Sequence, residues 1–362
     1  MTRAFNSEYI EWAKTRAAAR FDLATSGVVN FPISELGVTI EDIELSGPSL
    51  YGYEPLQRAL ASKCGVAPEN VVAAIGTSMA NHLAMAAIVN PGDEVLIEQP
   101  AYDPLLGIAR YLGAAVKRFE RRFEDGFKVH PREIASAVSR RTRLIVLTNL
   151  HNPTSVLIDN NTLEDIRDVA RSIKARVLID EVYLEALFDR MPKSAFHLGP
   201  EFVATSSLTK AYGLSGLRCG WVLAEPELAR RMWRLNDLFG NIPAHPAERL
   251  SVVALANLDR IANRARSLIE QNRVVLDRFL DHRDDIEAIR PGAGTTVAPR
   301  LKRGNVDQLC ELLQHKYETS VVPGRFFELP EHFRIGLGCD HDTLDEGLKR
   351  LAAALDEMSD TS

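Results

Sequence analysis

The feature that most constrains this chain is an alternation. Seven short apolar, β-branched runs recur through its middle, at 71–75, 94–98, 115–119, 143–148, 176–180, 202–206 and 219–223. Most are separated by stretches whose apolar residues repeat with helical spacing, among them 79–89, 105–112, 163–173 and 226–238. Strands that alternate with helices build a mainly parallel sheet, because each parallel strand needs a crossover to return the chain to its starting edge. The expected fold is therefore α/β, with a mainly parallel seven-stranded sheet sandwiched by helices. In such sheets ligands sit beyond the carboxyl ends of the strands, so the residues just after each run are where chemistry should be sought.

Past the sheet, a helical pattern runs from Ala247 to about His282 without Gly or Pro, and the chain breaks at Pro291, Gly292 and Gly294. Short strands expected at 295–299 and 333–337 then alternate with helices at 306–317 and 341–357, which describes a smaller α+β domain. A chain of 362 residues exceeds what one hydrophobic core usually serves. The expected division is a large domain over 46–282 and a small domain built from both termini, 1–45 and 283–362.

Formal net charge is −6, with no basic cluster to attract nucleic acid or an anionic membrane. The densest basic stretch, Arg118–Arg122, is interrupted by Phe119 and Glu120 and is expected to be solvated surface. Four scattered cysteines form neither a CxxC pair nor a disulfide framework, so buried, reduced thiols and a cytoplasmic protein are expected. The first twenty residues contain no apolar leader core, and no run of about 18 apolar residues could span a membrane. No G-x-G-x-x-G follows a strand, which disfavours a nicotinamide dehydrogenase. The nine histidines show no metal-binding spacing, so no metal is expected.

Four segments that follow strands carry the chemical signal. In Ser207-Leu208-Thr209-Lys210 a lysine sits among hydroxyls just past a strand, and Arg218 follows amid glycines that allow close backbone approach to a ligand. A solvated lysine needs no such surroundings. In Ile179-Asp180-Glu181-Val182-Tyr183 a carboxylate ends a buried strand and must be paired. A pyridinium N–H is one partner that fits; a cap on the following segment is the other. Asn152, in Asn149-Leu150-His151-Asn152-Pro153-Thr154, could donate to an anionic ring oxygen, although an isolated Asn-Pro is usually a turn. Gly76-Thr77-Ser78 opens a helix, where backbone N–H groups suit a phosphate.

Together these segments resemble the class I/II aminotransferases, the fold-type-I pyridoxal-phosphate enzymes, over about Ser46 to Leu337. The resemblance implies that Lys210 is the Schiff-base lysine and proton shuttle and that Asp180 partners the pyridine nitrogen. It implies that Tyr183 and Asn152 bond the ring's phenolic oxygen. Thr77, Ser78, Ser207 and Arg218 fall on phosphate-binding positions, and Tyr102 falls where an aromatic ring stacks on the cofactor. Arg334 is similar to the arginine that grips a substrate α-carboxylate; strand alternation would send Phe333 and Ile335 to the opposite face. The loop Thr25–Asn30, with Gly27, falls at the substrate loop but matches no particular subfamily. Tyr51-Gly52 resembles a segment that reaches the partner's phosphate, which implies a homodimer with composite sites. Ser155 departs from the family pattern, which usually has glycine there.

The activity this implies is amino-group transfer between an α-amino acid and a 2-oxo acid. A lyase that β-eliminates or decarboxylates through the same residues is the alternative, distinguished by whether a keto acid is consumed. Residues 235–246, where the resemblance places the side-chain pocket, offer no dedicated cation. An apolar, aromatic or neutral-polar substrate is therefore expected over aspartate or glutamate.

Overall fold

The computed structural model describes residues 6–360. Seven strands form the central sheet: β1 (Val71–Ile75), β2 (Glu94–Gln99), β3 (Ala115–Glu120), β4 (Thr142–Thr148), β5 (Arg176–Asp180), β6 (Phe202–Ser207) and β7 (Cys219–Leu223). Their spatial order is β1-β7-β6-β5-β4-β2-β3. The pairs β2–β3, β2–β4, β4–β5 and β5–β6 are parallel, whereas β7 runs antiparallel to β1 and β6. This confirms the mainly parallel α/β sheet. The reversal of β7 has a local consequence: the residues that enter it lie at the edge where β1, β5 and β6 end. There the Gly76 N–H donates to the Arg218 carbonyl at 2.7 Å.

Helices before and within the sheet region are α1 (Glu8–Thr15), α2 (Glu54–Cys64), α3 (Gly76–Ile88), α4 (Asp103–Tyr111), α5 (Pro131–Ala137), α6 (Asn160–Ile173) and α7 (Pro226–Asn236). They cover both faces. In β4, Leu144 and Val146 join the core that contains Leu83 and Met85 of α3, while Ile145 and Leu147 join the core that contains Leu163 and Ile166 of α6. Side chains alternate across a strand, so a strand buried on both sides reads as one apolar run. Helix α3 begins at Gly76, three residues before its apolar periodicity does, and so takes Thr77 and Ser78 into its first turn.

The pattern expected as one helix from Ala247 is two: α8 (His245–Ala256) and α9 (Leu258–Asp281). Asn257 lies between them in a non-helical conformation and donates its side-chain amide to the Val253 carbonyl at 2.9 Å. An asparagine that bonds nearby backbone competes with helix propagation, and no Gly or Pro marks the spot. Residues Leu276 and Leu280 of α9 enter a second core with Leu23, Val297, Phe333 and Ile335. That core packs between α10 (Val306–Lys316), α11 (His341–Asp360) and a small antiparallel sheet of β8 (Thr296–Val297), β9 (Val322–Pro323) and β10 (Phe333–Gly336), in the order β8-β10-β9. The amino-terminal segment joins this body, with Phe21–Asp22 paired in parallel to Thr319–Ser320.

One expectation fails clearly. The basic stretch Arg118–Arg122 is not all solvated surface. Arg121 and Phe119 are buried, and Arg121 pairs with buried Glu98 at 2.7 Å. Glu98 in turn accepts from the Thr148 N–H at 2.7 Å and the Thr148 hydroxyl at 2.6 Å. The pair thus ties β2, the residue after β3, and the end of β4. The short-run rule failed because Arg121 follows directly on an alternating strand and turns inward, where a buried charge persists only when paired. All four cysteines are free; Cys219 and Cys339 are buried, and Cys64 and Cys310 only partly so. Among the described residues no helix is long and apolar enough to cross a membrane.

Candidate active site

The strand ends converge on one cavity of about 1000 Å³. Lys210 follows β6 and reaches into it; its Nζ donates to the Ser26 hydroxyl at 3.0 Å. Asp180, the last residue of β5, also lines the cavity and is buried. Its carboxylate accepts from Asn81 Nδ2 at 2.8 Å and from the Val182 N–H at 3.1 Å. Burial pushes its pKa up to about 6, against the lowering effect of those two donors. Tyr183 and Asn152 stand beside it, placed by the turns that follow β5 and β4.

One end of the cavity suits an anion. Thr77 and Ser78 sit in the first turn of α3, next to Ser207, Thr209 and Arg218. The Thr77 and Thr209 hydroxyls are buried without a partner, which is costly unless a ligand supplies one. Gly76 is needed here: its φ is +74°, and a side chain on it would run into the Arg218 guanidinium. A helix N-terminus, unpaired hydroxyls and a guanidinium make up a phosphate-binding donor set.

Tyr102 lines the cavity, and burial holds its phenol well above the usual range. Gly27 packs against the Lys210 backbone and side chain, where an added Cβ would sit 3.4–3.5 Å away. Two expected residues, Arg334 and Tyr51, do not line the cavity. Arg334 does not open into the cavity but is fully enclosed. It donates to Asn152 Oδ1 at 3.0 Å, the Tyr9 hydroxyl at 2.9 Å and the Ala24 carbonyl at 3.0 Å, and its Nε has no partner. Its neighbours Phe333 and Ile335 enter the second core, as strand alternation requires. Tyr51 lies outside the cavity of its own chain, largely exposed, and donates to Asp237 at 3.2 Å.

The outer part of the cavity also departs from expectation. None of the residues 235–246 lines it. Its mouth is formed by Ser7, Ile10, Glu11 and Lys14 at and along α1, His82 of α3, and Ile108 of α4. Sequence inspection missed Tyr9, Ser26 and Asn81. Asn81 had a signal, since it lies one helical turn beyond Thr77 and so shares its face. Tyr9 had none, because it meets Arg334 only through the tertiary fold.

Comparison with known proteins bears directly on this constellation. A family model, aminotransferase class I and II, matches residues 44–351. The chain belongs to the class I and II aminotransferase family. It is 32% identical over 360 residues to capreomycidine synthase of Streptomyces vinaceus, covering 95% of this chain and 92% of that protein. It is 25% identical over 331 residues to an aspartate aminotransferase of Sulfurisphaera tokodaii, covering 86% and 82%. Its fold superposes on a PLP-dependent aminotransferase of Streptococcus suis with a TM-score of 0.93, at 25% identity and 99% coverage of both chains. The protein is accordingly a pyridoxal-phosphate-dependent enzyme of the aminotransferase type. For a member of this family the cavity fits that cofactor, since an anion site, a lysine amine and a buried carboxylate line it together.

Proposed function

We propose that this enzyme transfers an amino group between an α-amino acid and a 2-oxo acid. The observation that carries the proposal is the presence of Lys210 and Asp180 in one cavity that also holds the anion site. When bound, pyridoxal phosphate supplies an electron-accepting ring that withdraws charge from the substrate α-carbon. Lys210 holds the cofactor and carries the α-proton at Nζ. Asp180 keeps the ring nitrogen protonated, Tyr183 and Asn152 donate to the ring oxygen, and Tyr102 packs on the ring face. Thr77, Ser78, Ser207 and Arg218 hold the phosphate. Arg334, enclosed behind Asn152 with its Nε unpartnered, is proposed to orient the substrate carboxylate through Asn152, whose Oδ1 accepts from it at 3.0 Å, and Gly27 packs beside the lysine.

Under the proposed division into a large domain, 46–282, and a small domain, 1–45 with 283–362, Arg334 and Gly27 belong to one body and the cofactor residues to the other. Substrate then sits between them. A panel of amino acids tests the reaction. A donor should bleach the visible absorbance of the loaded enzyme, and a 2-oxo acid should restore it. Loss of the substrate with no oxo acid consumed would overturn transfer in favour of the second possibility, a lyase or synthase using the same residues. That possibility has its own support in the 32% identity to a capreomycidine synthase.

A homodimer is part of the proposal. Leu45, Leu50 and Tyr51 on one segment and Leu238, Phe239 and Ile242 on another are exposed apolar side chains, a concentration that a monomer rarely presents to water. Behind the first segment, buried His245 Nδ1 and Glu248 Oε1 have no hydrogen-bond partner, with His245 Nδ1 lying 4.0 Å from Glu248 Oε2. Sedimentation at micromolar concentration should give a species near twice 40.2 kDa. An active monomer would remove Tyr51 from any site.

A further inference from the structure

Between Leu23 and Val29 the chain runs as a strap between the Lys210 segment and the second core. Its course is tightly set. A side chain on Gly336 would run into the Thr25 carbonyl, and one on Gly338 into the Gly27 carbonyl. The Val28 N–H donates to the Lys210 carbonyl at 2.8 Å, and the Val29 N–H to the Gly338 carbonyl at 2.7 Å. Thr295 Oγ1 donates to the Ser26 carbonyl at 2.8 Å. Ser26 is 5% exposed, so its hydroxyl has a fixed address 3.0 Å from Lys210 Nζ.

We infer that Ser26 positions the Lys210 amine whenever the lysine is not joined to the cofactor. The inference rests on the proposed role of Lys210. A carboxylate in this place would favour the ammonium and hold its proton. A hydroxyl accepts from an ammonium and can also donate to a neutral amine, so it holds Nζ in one position through both protonation states. That is what a group needs if it must give up a proton and take it back at a fixed distance from the α-carbon. The second body reports on this geometry through Thr295, whose bond to the Ser26 carbonyl sets the strap.

The test compares Ser26→Ala and Ser26→Thr with wild type, starting from cofactor-free protein. Stopped-flow mixing with pyridoxal phosphate follows the growth of visible absorbance. Hydrogen bonds to charged groups are worth enough that the alanine variant should load about 10-fold more slowly and lose about 10-fold in kcat, with KM changed less than about two-fold. Threonine should restore both to within about three-fold, since it keeps the hydroxyl. Loading and turnover of the alanine variant at wild-type rates would overturn the inference. So would a threonine variant as slow as alanine when both cofactor-free proteins melt like wild type, because packing rather than the hydroxyl would then be responsible. If wild type itself forms no lysine adduct, the role of Lys210 fails instead, and the two failures are told apart.

Discussion

Lys210→Ala is expected to abolish amino-group transfer, with a fall of about 10⁴-fold or more in kcat, and to leave the fold intact. The fold should survive because the lysine projects into a cavity and, among the described residues, its amine bonds only Ser26. The loss should be that large because one atom is proposed to do two things, hold the cofactor and move the α-proton; removing a group with both duties costs several kcal/mol of barrier. Borohydride treatment gives a readout independent of turnover. In wild type the reduced cofactor should be found on the peptide containing Lys210, and the variant should carry none. Lys14 is the internal control, since it lines the mouth of the same cavity. An adduct on Lys14 in wild type, or an alanine variant turning over within ten-fold of wild type, would refute the assignment.

What could be seen in the sequence follows the range over which each signal acts. Most of the sheet strands were legible because burial on both faces makes them near-continuous apolar runs, the half-buried edge strand β3 being the exception, and their ends agree closely with the observed ones. The cavity residues that follow those strands were legible for the same reason: strand ends in an α/β sheet share one edge, so Asn152, Asp180 and Lys210 had to be neighbours. The break at Asn257 was hidden, because one side-chain bond to Val253 ends a helix whose periodicity continues beyond it. Arg121 was hidden because its partner, Glu98, lies on another strand. The mouth of the cavity was hidden for a stronger reason. Helix α1 reaches it only through the body on which Tyr9 and Arg334, 325 residues apart in the chain, meet. Ser155 shows both sides of the matter. Its departure from the family glycine was visible, but not that it would hold a φ of 59° and donate to the Thr296 carbonyl at 2.8 Å, joining the Asn152 loop to β8.

Asp180→Asn should separate the electronic role of the carboxylate from a structural one. Asn81 accepts from the Thr205 hydroxyl at 2.6 Å through Oδ1, which turns its Nδ2 toward Asp180. With the Val182 N–H as a second donor, the site is built for an acceptor at position 180. In the cofactor-free protein burial works against that, raising the carboxyl from 3.8 to about 6. A carboxyl whose pKa is raised by folding contributes stability that is full below the unfolded value and lost as pH rises through the folded one. The loss between pH 3.8 and about 6 amounts to roughly 3 kcal/mol and persists above that range. Cofactor-free Asp180→Asn should therefore melt like wild type near pH 4 and above it at pH 8. The loaded variant should show the opposite ranking in function, with turnover about 10³-fold slower, or about 4 kcal/mol in barrier, because a neutral amide cannot hold a proton on the ring nitrogen. A destabilised cofactor-free variant that keeps near-wild-type turnover would mean that Asp180 only caps the segment after β5. Gain in stability without the cofactor, together with loss of rate with it, is the pattern of a charge kept buried for the ligand.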